Sequence, residues 1–103
     1  MIHVIATIEL HPNTRDRFVK EFVQLVPDVK REDGCIEYGG AIDVASGIPV
    51  QIPLRENVFV VVEKWASLDA LKAHLAAPHM GAYRLKVKDF VVKSSIQVLE
   101  PKA

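Results

Sequence analysis

A chain of 103 residues, half hydrophobic and a quarter charged, is long enough for one domain over residues 1–103 with a core of its own. Its thirteen Lys and Arg are matched by thirteen Asp and Glu, and no basic run is interleaved with aromatics, which argues against a nucleic-acid partner. The single Cys35 excludes an internal disulfide and a cysteine cluster for zinc or iron–sulfur, and no apolar run approaches the length of a membrane span.

The first stretch, Ile2 to Leu10, is apolar with a preference for Val and Ile and predicts a strand. It lacks the basic start, long apolar segment and small-residue cleavage site of a secretory signal, so the expected compartment is the cytoplasm. His11-Pro12-Asn13 forms a turn, with Asn13 or Thr14 as cap for a helix running to about Lys30. Phe18, Phe22, Leu25 and Val29 recur at helical steps and make its apolar stripe, while Pro27 predicts a kink or a break. Glu32-Asp33-Gly34 is the next turn, followed by a strand from Cys35 to Ile42. Adjacent Gly39 and Gly40 in that strand mark a bulge or a close approach to the backbone. Asp43 to Glu56 is longer than a hairpin needs. Its alternating Ile48, Val50, Ile52 and Leu54 allow a brief extended piece, which Pro49 and Pro53 confine to a sheet edge.

VFVVVEKW from Val58 is β-branched and aromatic, hence a strand. Alternation puts Phe59, Val61, Glu63 and Trp65 on one face, and Val58, Val60, Val62 and Lys64 on the other. Ser67 is a good N-cap and Asp69 suits the positive end of the helix that follows. Leu68, Leu71 and Leu75 share a stripe with His74 at its border, so His74 is expected to point at the sheet or its edge. Pro78 ends this helix and starts another, in which Met80, Tyr83 and Val87 keep the helical spacing. Trp65, His74 and the junction residue His79 are thereby placed to line a common cavity. Phe90 to Leu99 closes the chain as a last strand.

Strand, helix, strand, strand, helix, strand is the order of the ferredoxin-like split βαβ, an α+β fold whose antiparallel sheet carries both helices on one face. Phe59 to Val62 and Phe90 to Val92 are apolar on both sides of their strands, whereas a sheet with one wet face should alternate. The uncovered face would be too apolar to leave in water. A homodimer packed sheet against sheet is therefore expected.

Glu32-Asp33-Gly34-Cys35-Ile36-Glu37-Tyr38, Glu63-Lys64-Trp65, His74 and Pro78-His79 occur in that order over nearly the whole chain. Together they resemble the antibiotic biosynthesis monooxygenase (ABM) family. The resemblance implies a dimeric α+β barrel, and its departure is the long 43–56 connection. Relatives of this kind include cofactor-independent oxygenases of quinols and polycyclic aromatics, isomerases of small phosphorylated sugars, and haem-degrading enzymes. Haem degraders of the type use an Asn on the first strand; Met1 to Leu10 has none.

The candidate residues carry two readings each. Trp65 is a core aromatic or a stacking wall for a substrate. His74 is a general base or a helix-face His bonded to a neighbour such as Glu63. His79 either lines the site or caps its helix. Glu63 orients His74 or pairs with Arg84, and Tyr38, Tyr83 and Arg84 are donors for a phenolic substrate or ordinary core-edge groups. Cys35 reads as a small buried hydrophobe. The spacing of His74 and His79 is not the i, i+4 pair of a helical metal site, and no third ligand is evident, so no metal is expected. No glycine-rich fingerprint supports a dinucleotide or flavin. The expected function is a cofactor-independent monooxygenase that oxidises a quinol-like or polycyclic aromatic with dioxygen, with His74 as base and Trp65 as wall. Isomerisation of a small polar metabolite and a non-catalytic dimeric binding domain are its rivals.

Overall fold

In the computed structural model, which describes residues Met1–Ala103, strands β1 (Ile2–Leu10), β2 (Cys35–Ala41), β3 (Val58–Trp65) and β4 (Val91–Leu99) form one sheet. Helix α1 (Arg15–Lys30) follows β1, and α2 (Leu68–Leu75) and α3 (Pro78–Val87) lie between β3 and β4. The spatial order is β2-β3-β1-β4, with every neighbouring pair antiparallel. This is the expected split βαβ, with α3 added before the last strand. No helix is long and apolar enough to cross a membrane.

The core lies between the helices and one sheet face. Phe18, Phe22, Leu25 and Val29 of α1 are all buried there, against Phe59, Val61 and Trp65 of β3. Thr14 stands at the cap of α1, but its hydroxyl donates back to the His11 carbonyl at 2.7 Å rather than accepting from the helix. Asn13 takes a positive φ of 65° to make that corner, a conformation Asn tolerates better than most residues. No break occurs at Pro27: α1 continues to Lys30. A proline there forgoes one backbone bond, and burial of Leu25 and Val29 on either side holds the helix through it.

Along β3 the alternation holds at every position: Phe59, Val61, Glu63 and Trp65 are buried, and their outward neighbours are half-buried. Of the glycine pair of β2 only Gly40 marks a close approach, since a Cβ there would fall 2.0 Å from the Phe59 ring. The irregular pairing of β2 with β3 sits elsewhere, between Cys35 and Glu37. Gly34, at φ 81°, lets the turn before β2 lie against α2, where a Cβ would meet that of Ala70 at 2.7 Å.

The connection between β2 and β3 contains no strand. The segment is closed at its base by an ion pair: Asp43 accepts from Arg55 Nε at 3.0 Å, Nη2 at 2.8 Å and the backbone N–H at 2.9 Å. These bonds hold the Asp43 carboxyl down to about 2. Between the clamped ends Val44, Ile48, Val50, Ile52 and Leu54 stand exposed.

Ser67 caps α2 as expected, accepting from the Ala70 N–H at 3.1 Å. The Leu68-Leu71-Leu75 stripe is not buried as a unit. Leu71 and His74 face inward, whereas Leu68 and Leu75 are 47% and 41% exposed. The edge of α2 that packs on the sheet is the one carrying His74. Pro78 opens α3, whose Met80 and Val87 are buried. The last strand pairs with β1 along its length, yet beyond Val91 all of it is exposed. No helix packs extensively over it.

Candidate functional site

A cavity of about 410 Å³ opens between the helix-facing side of β1, β3 and β4 and the helices α2 and α3. Ala6, Ile8, Val61, Met80, Val87 and Ile96 make its walls apolar. Tyr38, Glu63 and His74 come together on its lining, and the exposed Arg84, Lys88, Ser94 and Ser95 stand at its rim.

His74 is 1% exposed, and its two nitrogens have different surroundings. Nδ1 lies 3.0 and 3.1 Å from the two oxygens of Glu32, while Nε2 faces Glu63 Oε1 at 4.0 Å. A carboxylate only accepts, so the imidazole donates from Nδ1 and keeps its Nε2 lone pair for the cavity side. Beneath the ring Trp65 packs at a centroid distance of 4.6 Å. The Tyr38 ring meets it edge-on at 5.5 Å. Three elements thus fix this imidazole: the turn after α1, the end of β3, and β2.

Glu63 accepts a hydrogen bond of 2.8 Å from Trp65 Nε1. Burial raises its carboxyl above the usual range; the Trp65 N–H and nearby His74 work against that rise, and Glu32 adds to it. The Glu63 carboxyl thus stands 4.0 Å from the His74 nitrogen that faces the cavity. Burial also raises the phenols of Tyr38 and Tyr83, with Glu63 the next cause at Tyr38 and Glu21 at Tyr83. Both stay protonated donors. Cys35 is half-buried, and its thiol is pushed up by burial and by Glu32.

The common cavity expected for Trp65, His74 and His79 holds only His74. Trp65 is fully buried behind it and does not line the space. His79 lies on the far side of Glu32, its Nε2 2.7 Å from Oε2, in a groove with Glu21, Asp28 and Lys86. The expected pairing of Glu63 with Arg84 is absent too, because Arg84 Nη2 donates to the Leu75 carbonyl at 2.9 Å. Tyr38, Tyr83, Glu63 and Arg84 do line the cavity with His74.

Glu32 is the residue that sequence reasoning missed as a site group. It stands in a turn, 42 residues before His74 and 47 before His79, and no local spacing ties it to either. Its carboxylate faces two imidazoles, and no group of three or more His, Cys, Asp or Glu is placed to hold a metal ion. The geometry brings an imidazole of fixed orientation, a buried carboxyl and two phenols together around an apolar space.

The model of the family described as antibiotic biosynthesis monooxygenase matches residues 1–85. The chain is 37% identical over 103 residues to the Escherichia coli protein named "Probable quinol monooxygenase YgiN", with 98% of each covered. Among solved structures it resembles PA3566 from Pseudomonas aeruginosa at a TM-score of 0.80, with 22% identity and 99% and 94% of the two chains covered. Rv0793 from Mycobacterium tuberculosis matches at a TM-score of 0.80 and 23% identity, over 99% and 95%. These two likenesses speak for the fold alone. With 98% of the chain aligned to a monooxygenase relative and most of it matched by the family model, the protein belongs to the antibiotic biosynthesis monooxygenase family and is an enzyme of monooxygenase type.

Proposed function

We propose that this protein oxidises a quinol-like or polycyclic aromatic substrate with dioxygen, without a cofactor, and that it does so as a homodimer. The observation that carries the reading is the orientation of His74: Glu32 occupies Nδ1, and Nε2 is left towards an apolar cavity of aromatic-ring dimensions. A phenol O–H that reaches Nε2 transfers its proton there, and the quinolate left behind is electron-rich enough to react with dioxygen directly. The substrate itself supplies the electrons. One oxygen atom enters the ring, the other leaves as water, and the quinol becomes a hydroxylated quinone. Charge that develops on oxygen is met by the neutral donors Tyr38 and Tyr83. Trp65 acts from behind the site, by packing on His74 and bonding Glu63, rather than as a stacking wall.

Oxygen uptake by the purified protein with a panel of quinols tests this. Wild type should consume oxygen, and His74→Ala should be slower by about a hundredfold or more. A wild type that consumes no oxygen with any quinol of the panel overturns the reading. Isomerisation of a small anionic metabolite is the second reading, favoured by Arg84 and Lys88 at the rim, neither of which has a carboxylate within 4.0 Å. Product formed under strict anaerobiosis would select it.

The dimer rests on the sheet face opposite the helices, where Ile5, Val58, Val60 and Val62 are half-buried with no layer of the same chain over them. Sedimentation giving a monomer mass would remove this part of the proposal.

A further inference from the structure

Beyond the cavity, the same carboxylate that orients His74 is held from the other side by a second histidine. The three groups come from separate elements: Glu32 from the turn after α1, His74 from α2 and His79 from the first turn of α3. Side-chain exposure rises along them, from 2% at His74 to 14% at Glu32 and 31% at His79. The chain of contacts therefore leads from the buried imidazole to solvent, away from the cavity. His79 does not line the cavity, and of the residues in its groove only Tyr83 also lines it.

We propose that His79 is a positioning residue that sets the proton affinity of His74 through the Glu32 carboxylate they share. The inference rests on the reading of His74 as the base. When His74 takes a proton at Nε2, the imidazolium is stabilised by the negative charge on Glu32, 3.0 Å away. A proton on His79 places a second positive charge against the same carboxylate, at 2.7 Å, and weakens that stabilisation. The two imidazoles compete for one anion, so their protonation is coupled and proceeds in two separated steps.

Other charges around the pair do not cancel this coupling. His74 also faces Glu63 and Tyr38, which are buried with it and common to both protonation states of His79. His79 shares its groove with Glu21 and Asp28 of α1 and with Lys86 and Tyr83 of α3. Asp28 and Lys86 are exposed, where water and salt screen them, and Glu21 and Tyr83 are half-buried. The consequence is a base whose strength is adjusted from the outside of the molecule.

The test follows the His74 ring resonances through a pH titration by NMR in wild type, His79→Gln and His79→Arg. His79→Gln keeps a neutral donor but removes the charge, so the midpoint of His74 should rise by about one pH unit. His79→Arg makes the charge permanent, and the midpoint should stay at or below that of wild type. The acid limb of kcat/KM with a quinol that the wild type oxidises should move in the same two directions, which at low pH makes His79→Gln about tenfold slower than wild type. A His74 midpoint that is the same in all three proteins, or that moves the same way in both variants, overturns the proposal. The NMR titration needs no substrate. An inactive wild type with a coupled His74 would thus refute the oxygenase reading and leave the coupling standing, while activity with an uncoupled His74 would do the reverse.

Discussion

Strands β3 and β4 flank β1 on either side, and both pair with it over nearly its whole length. One is the most buried strand of the molecule and the other is almost entirely exposed. Backbone pairing is therefore not what distinguishes a core strand from an outlying one; the helix layer is. Helices α1 and α2 lie over β2 and β3, and because the layer stops short of β4, its margin becomes a cavity. The catalytic candidates sit along that margin. On one side they are held by dense packing, and on the other they border the cavity.

The contrast predicts unequal responses to truncation. Trp65→Ala removes a fully buried indole from β3 and should cost about 3–5 kcal/mol. Ile96→Ala on β4, where the side chain is 47% exposed, should cost less than about 1 kcal/mol. Denaturant midpoints for the pair would break the comparison if the two losses were equal. A second pair sharpens it within β2. Gly40→Ala drives a methyl into the Phe59 ring, whereas Gly39 has open space around its missing Cβ. Overpacking at Gly40 should cost about 1–3 kcal/mol, and Gly39→Ala should stay within about 0.5 kcal/mol.

Smaller effects concern charge. Glu63 has a raised carboxyl in the folded protein, so ionising it opposes folding, and stability should fall as pH rises above the ordinary carboxylate value. Glu63→Gln keeps an acceptor for Trp65 and should flatten that decline, as thermal melts between pH 4 and 8 would report. Asp43 has the opposite sign. Its carboxyl is lowered to about 2 by Arg55, so its contribution is complete above the unfolded value of about 3.9 and is lost as pH falls through 2. Amide exchange at Arg55 should quicken over that window. Unchanged exchange there would mean that the clamp does not order the β2–β3 connection.

Legibility in the sequence followed the same division. The β3 alternation, the Ser67 cap, Pro78 at the start of α3 and the α1 stripe are local patterns, and a residue a few places away decides each of them. VVKSSIQVL of β4 contains no comparable signal of which side is covered, because the cover is a helix distant in the chain. The site divided likewise. His74 could be directed inward from helical spacing, but its partner Glu32 lies in a turn and resembles any solvated acid until the chain has folded. His79 and Trp65 were legible as residues near the site, though not as residues outside the cavity. That distinction depends on which side of Glu32, and of His74 itself, each one occupies.

The turn that carries Glu32 rests on α2 through Gly34, whose hydrogen occupies the place where a methyl would meet Ala70. The spacing between acid and imidazole is thus gauged by an atom too small to take part in any chemistry. Lengthening that spacer by one carbon would push α2 outward with its imidazole, detuning its contact with the acid while removing no ionisable group. An inventory of functional side chains would find nothing missing from such a protein, and its fault would lie in alignment alone.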